Sequence, residues 1–264
     1  MQHYLARLGY VGHPAPTRAT LVALQLAHLR AIPFENLDIH LQRPIRLNEA
    51  ALYAKIVRQQ RGGFCFELNG LFAALLRAVG FEVILLSARV WGTGGFSPEF
   101  DHLALGVMLE GACWIVDVGF GESSLAPLRL TPETEQSDGR GQYRFIASGP
   151  EWLLQEKLPA QTEWTAAYVF SLTPRALSDF APRCDELQTS PASIFTHKRI
   201  CTRATPEGRI SLANERLITT TPTGAHEQWL ETPAACLAAL QTHFNITLPN
   251  WPPIRQPPPP TTAA

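Results

Sequence analysis

The sequence predicts an α+β protein, in which a helical first third precedes a small antiparallel sheet or barrel and a mixed α/β segment. Three observations carry this. Apolar residues fall on a helical period in "ATLVALQLAHLR" (19–30) and again in "NEAALYAKIVRQQ" (48–60), where Asn48 stands as N-cap. From Phe81 the texture changes to short β-rich runs, "FEVILLSARVW", "HLALGVML" and "ACWIVDVGF", separated by glycine-containing turns, with "QYRFIA" and "TAAYVFSL" further on. Then "RICTRA", the turn "TPEGR" and "RISLANERLIT" predict more strands, and "TPAACLAALQTHF" opens a helix with Thr232 as N-cap and Pro233 at its first position. The division this gives is 1–80, 81–190 and 191–250. Residues 251–264, "WPPIRQPPPPTTAA", are too rich in proline to pack regularly, and an extended, mobile tail is expected there.

The 264 residues, 45% of them hydrophobic, suffice for a sizeable core without disulfide staples. Lys and Arg number 22 against 23 Asp and Glu, with no long run of either sign, which argues against nucleic acid or an anionic membrane as partner. The N-terminus lacks the apolar stretch and cleavage site of a signal peptide. No apolar run reaches the roughly 18 residues of a membrane helix, so a cytoplasmic protein is expected. Five cysteines, an odd count with no CxxC pair, signal neither a disulfide framework nor a zinc site; reduced thiols and no metal are the expectation.

One cysteine stands out. In "RGGFCFELNG", Cys65 follows two glycines and opens a stretch in which Leu68, Leu71, Phe72, Leu75, Leu76 and Val79 recur at three- and four-residue steps before Gly80. Cys65 thus stands at a helix N-terminus, where unpaired N–H groups lower a thiol's pKa. Gly62 and Gly63 allow a tight turn and leave room for a substrate beside the sulfur. A lone cysteine between phenylalanines is also ordinary core. A base within reach decides between the two.

The segment "DHLALGVMLEGACWIVDVGFG" supplies one. It reads as two strands joined through Glu110-Gly111. A two-residue loop pairs Leu109 with Ala112, and every cross-strand pair then sums to 221, so His102 lies opposite Gly119 and shares a face with Asp117. Diagonal neighbours of this kind are roughly 7–8 Å apart at the backbone, a gap that an imidazole and a carboxylate close with a hydrogen bond. A four-residue loop keeps this parity, whereas a three-residue loop puts the two on opposite faces. The face of His102 and Asp117 carries mostly small residues (Ala104, Gly106, Gly119), while the other carries Leu103, Leu105, Val107, Trp114, Val116 and Val118. The small face is therefore expected to receive the Cys65 helix, completing a nucleophile, a general base and an orienting carboxylate.

With these residues in place the sequence resembles the arylamine N-acetyltransferase family. The resemblance rests on "RGGFCFELNGLF", "IPFENLDI", "LLSARV", "HLAL", "VDVGFG" and "TSPASIFTHKRICTR" followed by "TPEGRISL", in family order from Ile32 to about Leu217. It implies a catalytic triad of Cys65, His102 and Asp117. It also implies an N-terminal helical bundle, a central antiparallel β-barrel and a C-terminal α/β lid around a cysteine-protease-like core. Acetyl-CoA then acylates the cysteine as a substrate, with no permanently bound cofactor, and an aromatic amine or hydrazine takes the acetyl group. The family's acceptor pocket falls on Phe34, Val90, Phe120 and Phe195. Gly119 and Gly121, followed by Glu122, Ser123 and Ser124, resemble the segment that approaches CoA, and Lys198, Arg199 and Arg203 are candidates for its phosphates. Three other readings compete: an amide synthase of the same fold closing a polyketide chain onto an aryl amine, a papain- or transglutaminase-like thiol enzyme, and a non-catalytic binding module.

Overall fold

The computed structural model describes residues 1–122, 124–159 and 161–254. Its helices start where a side chain can cap them. Thr17 accepts from the Thr20 N–H ahead of Arg18–Ala31, Asn48 from Ala51 ahead of Glu49–Tyr53, and Thr232 from Ala235 ahead of Pro233–Phe244. The helix expected over 48–60 widens into a π-helical turn at Ala54–Arg58, on which Lys55 is buried. The central helix, Cys65–Val79, ends on Gly80 at φ 108.

The middle of the chain curls into a nearly closed antiparallel barrel. Its strands follow the order Leu128–Arg129, Ala112–Val116, His102–Leu109, Glu82–Gly92, Thr165–Ser171, Glu151–Lys157, Gln142–Ser148, Gln136–Ser137. The two ends of that order meet through one side chain. Gln136 Oε1 accepts from the Arg129 N–H at 2.7 Å and its Nε2 donates to the Arg129 carbonyl at 2.8 Å, so an amide side chain imitates a strand partner. A second sheet joins Phe34–Glu35 to Ile200–Thr205, Gly208–Ala213, Arg216–Thr221 and Gly224–Trp229, and the Pro233–Phe244 helix covers one of its faces. The outermost strand, Gly224–Trp229, is exposed along its whole length. It lacks the apolar alternation by which a sequence announces a strand.

The hairpin of residues 102–116 turns through Glu110 and Gly111, both at positive φ, and keeps the sum of 221 from Leu109↔Ala112 to Leu105↔Val116. Its two faces are used opposite to the expectation. The bulky face of Leu103, Leu105, Val107, Trp114 and Val116 packs against the Cys65 helix in one apolar cluster with Leu68, Phe72 and Leu75. The small face turns into the barrel, where Ala104 and Ile115 meet Tyr143, Phe145, Tyr168 and Phe170 from the opposite strands. Volume explains the choice, since a narrow interior already filled by four aromatic rings accepts only small partners, and a Cβ at Gly106 would stand 2.9 Å from Ile84. Ladder pairing ends at Val116, so Asp117 leaves the sheet and His102 has no cross-strand partner at Gly119.

Candidate active site

Cys65 is the first residue of its helix and is buried. The glycines before it make room for protein rather than for substrate. A Cβ at Gly62 would lie 2.0 Å from the Pro33 carbonyl oxygen, and one at Gly63 2.7 Å from Glu67 Cβ. The chain there is pinned to the Phe34–Glu35 strand by the Glu35 N–H, which donates to the Gly63 carbonyl at 2.9 Å.

Glu67, two residues past the cysteine, accepts the Phe64 N–H at 3.2 Å and so caps the helix from within. It belongs to a buried knot of five charges. Lys55 Nζ lies 2.8 Å from Glu67 Oε1 and 2.9 Å from Asp38 Oδ2, and Arg61 lies 2.7 Å from Glu35 Oε1 and 3.0 Å from Asp38 Oδ1. Three carboxyls face two cations. Burial pushes Glu67 up to about 7 against the pull of Lys55, with Glu35 and Asp38 adding to the rise.

The second polar assembly surrounds Asp117. His102 Nε2 lies 2.7 Å from Asp117 Oδ2, while Oδ1 accepts from Asn69 Nδ2 and from the Gly119 N–H, both at 2.9 Å. Asn69 also donates to the Leu103 carbonyl at 2.6 Å and accepts from the Val118 N–H at 2.9 Å, tying together the cysteine helix, the His102 strand and the Asp117 segment. Gly119 is packed against this junction, where a Cβ would stand 2.8 Å from Cys65 Cα. Tyr168, buried in the barrel near the Asp117 carboxylate, lays its ring 5.3 Å from that of His102. Burial, with Asp117 adding to it, raises the Tyr168 phenol well above its usual range, so it stays protonated.

Burial, followed by Asp101 and Asp117, raises the Cys65 thiol well above its ordinary pKa, and the nearby Leu103 backbone amide, one residue from His102, opposes the rise. The low pKa expected of a helix N-terminus is thus reversed by desolvation. A thiolate here needs a cation made at the same moment, and an imidazole that accepts the thiol proton becomes one.

The other expected residues fall into two aromatic groups. Phe120 lies 5.1 Å from His102 and 5.2 Å from Tyr168, and Val90 pairs with Tyr168 across the ladder. Phe195 lies 6.2 Å from Phe34 and 5.7 Å from Phe64. Gly121, at φ 83, faces open space, Glu122 Oε2 pairs with Arg140 at 3.2 Å, and Ser124 Oγ donates to the Ala126 carbonyl; Ser123 lies outside the described residues. Two of the three candidate phosphate ligands have protein partners. Arg199 donates to Pro252 O and pairs with Glu215 while lying over Trp251, and Arg203 donates to the carbonyls of His243 and Arg30. Lys198 is half-buried. Nothing in the local sequence pattern marks Tyr168. Asn69 had a usable signal, being four residues after Cys65 on the same helix face.

Fold and site together define a class: an α+β protein of cysteine-protease-like architecture, with a buried thiol beside an imidazole–carboxylate pair. An N-acetyltransferase family model matches residues 17–251. The arylamine N-acetyltransferase / N-hydroxyarylamine O-acetyltransferase of Salmonella typhimurium is 41% identical over 214 residues, covering 80% of this chain and 75% of that protein. The arylamine N-acetyltransferase of Mycolicibacterium smegmatis is 35% identical over 252 residues, covering 93% and 91%. Among solved structures, the Salmonella typhimurium enzyme superposes with a TM-score of 0.88 at 36% identity, over 93% of this chain and 90% of that one. The Mycobacterium marinum enzyme in complex with CoA gives 0.86 at 33% identity, over 93% and 92%. The chain belongs to the arylamine N-acetyltransferase family.

Proposed function

We propose that the protein moves an acetyl group from acetyl-CoA to aromatic amines or hydrazines through a thioester on Cys65, with His102 and Asp117 completing the triad. The observation that carries this reading is the 2.7 Å contact of His102 Nε2 with Asp117 Oδ2 at the start of the Cys65 helix, where a Cβ on Gly119, two residues past Asp117, would stand 2.8 Å from Cys65 Cα. The other ring nitrogen, Nδ1, is then the one that takes the thiol proton. The thiolate attacks the acetyl carbonyl, the C–S bond to CoA breaks, and His102 returns the proton to the departing CoA thiolate. In the second half the amine attacks the acetyl-cysteine, its proton passes through His102 to Cys65, and the free thiol is restored.

Phe34, Val90, Phe120 and Phe195 serve as the acceptor's apolar surroundings, and the Gly119–Gly121 turn lies where the CoA chain approaches. The names of the relatives favour acetyl transfer over the synthase, thiol-hydrolase and binding-module readings. Five unpaired thiols fit a reducing, cytoplasmic setting. No helix among the described residues is long and apolar enough to cross a membrane, and these residues hold no cluster of groups suited to a metal.

Protonation selects the acceptor. An amine attacks only as free base, and a lysine-like alkyl amine of pKa near 10.4 is roughly 99.9% protonated at pH 7. Aryl amines and hydrazines arrive neutral. A site whose single imidazole is engaged by Cys65 and Asp117 has no further base to deprotonate an ammonium ion. Single-turnover decay of the acetyl-enzyme at pH 7 is therefore expected to be far faster with anilines and aryl hydrazines than with lysine or polyamines. Equal rates with both classes overturn the acceptor assignment.

A further inference from the structure

The strand that carries His102 begins at a strained corner. Phe100 holds φ 63, a backbone conformation that a bulky side chain adopts only where its surroundings fix it. Its N–H donates to Ser87 Oγ at 2.8 Å, and its ring lies 5.2 Å from that of Phe180 and 5.2 Å from the Arg175 guanidinium. Phe180 in turn lies 5.6 Å from Phe66, the residue after Cys65. Three rings thus join the start of the Cys65 helix, the entry to the His102 strand and the Ala181–Thr189 helix that follows Phe180.

Asp101, between Phe100 and His102, sits at this junction and finds its partner on the Ala181–Thr189 helix. Arg183 Nε and Nη2 both donate to Asp101 Oδ1, at 2.9 and 2.6 Å, and Arg183 Nη1 lies 2.5 Å from Glu186 Oε2. The side chains of Asp101 and Arg183 are each 17% exposed, so salt and solvent screen the pair only in part. Cys184, the next residue, is buried in the apolar cluster that also holds Cys65, and burial keeps its thiol protonated. The Asp101 carboxylate works against the nucleophile. After burial itself, Asp101 does most to hold the Cys65 thiol up, ahead of Asp117. The acetyl-transfer steps above give Asp101 no part in the chemistry, yet a guanidinium from another element is spent on it.

We propose that Arg183 is a positioning residue of the transfer reaction, whose fork fixes Asp101 and offsets its charge so that negative charge can develop on Cys65. The proposal rests on Cys65 as the nucleophile and names a group outside the triad that makes it usable. Without Arg183, the Asp101 carboxylate acts on Cys65 uncompensated and the thiolate forms at higher pH. Without Asp101, the guanidinium remains and the thiolate forms at lower pH. The other titratable and charged groups around Cys65 are His102 and Asp117 from the barrel, Glu67 with Lys55 from the helices, and Cys184. All of them are common to the proteins compared, so they cancel in the difference.

The test is the pH dependence of Cys65 alkylation by iodoacetamide, located by peptide mapping and followed through the neutral and mildly alkaline range. Arg183→Gln is expected to slow alkylation at pH 7 by up to ~10-fold, which moves the profile up by as much as about one pH unit. Asp101→Asn is expected to speed alkylation and move the profile down. The two substitutions together are expected to regain most of the rate lost in Arg183→Gln. A role in packing alone predicts a different pattern, because Asp101→Asn breaks the same ion pair and would then slow alkylation as Arg183→Gln does. That pattern, an unmoved profile in folded Arg183→Gln, or a double variant as slow as Arg183→Gln, overturns the proposal. Should Arg183→Gln fail to fold, Asp101→Asn keeps the side chain's size and decides alone, since a profile that moves up or stands still contradicts the assignment. Iodoacetamide needs no acetyl-CoA, so failure here is separate from failure of the acetyl-transfer reading, which the acetyl adduct on Cys65 decides.

Discussion

Two buried polar assemblies flank the start of the Cys65 helix, and they are built on opposite principles. Around Asp117 a single carboxylate is held by His102, Asn69 and the Gly119 N–H, a set of hydrogen-bond donors that fixes geometry without a permanent countercharge. Around Lys55 and Arg61, two buried cations face Glu35, Asp38 and Glu67, with the exposed Arg43 4.0 Å from Asp38, so the assembly is held by charge and its buried part carries one carboxyl in excess. The first arrangement engages one imidazole nitrogen of His102 and leaves the other for the proton transfer proposed above. The second has every cation engaged and stiffens the loop 61–64 that delivers the cysteine. Damage to the first should appear in rate, and damage to the second in stability.

The largest effect separates the two. Asp117→Asn keeps the shape of the carboxylate but favours the wrong tautomer of His102, and is expected to lower acetyl transfer by roughly 10⁴-fold. Circular dichroism is expected to show a folded protein. Loss of the fold with the rate would make Asp117 structural and erase the contrast.

Lys55→Met probes the other assembly. It leaves Glu67 and Asp38 buried without their shared cation, and removing one partner of a buried pair costs about 3–5 kcal/mol. In a protein of this size that lowers the thermal midpoint by roughly 10 °C. A melt at pH 7 within 2–3 °C of native, in the range of ~1 kcal/mol, would show that the knot does not hold the loop.

The excess carboxyl supplies a subtler probe. Glu67 is raised from 4.5 to about 7, so between these values the folded protein holds a proton that the unfolded chain has released, and stability falls as pH rises through the window. Asp38, held below its ordinary 3.8, acts in the opposite sense and only as pH drops below that value. Glu67→Gln is expected to flatten the pH 4.5–7 slope, at most about 1.4 kcal/mol per pH unit, in urea titrations at pH 5, 6 and 7. An unaltered slope would place the titrating proton elsewhere.

The sequence carried different parts of this picture unequally. The helix start at Cys65 and the two-residue turn that brings the His102 strand back beside the Asp117 segment were legible because they depend on short-range rules, whereas the end of the ladder at Val116 was not. The packing of the hairpin faces was not, since the choice depends on which strands fill the barrel, and Tyr143, Phe145, Tyr168 and Phe170 arrive from more than 25 residues away. Tyr168 was hidden for the same reason, coming near Asp117 only because Thr165–Ser171 pairs with Glu82–Gly92 rather than with its hairpin neighbour alone. Gly62, Gly63 and Gly119 were visible as glycines, but their cause lies in Pro33, Glu67 and Cys65 pressing on them. The proline-rich tail expected from residue 251 is described only as far as Ile254; residues 255–264 lie outside the described residues.

The central claim is that Cys65 carries the acetyl group between donor and acceptor. Intact-protein mass spectrometry after brief exposure to acetyl-CoA tests it most directly, with peptide mapping to locate the adduct. One acetyl group on Cys65, absent from Cys65→Ser and discharged by an added aryl amine, is the result this account predicts. Unmodified Cys65 in an enzyme that still turns over, or an acetyl group on Cys113, Cys184, Cys201 or Cys236 instead, would contradict it.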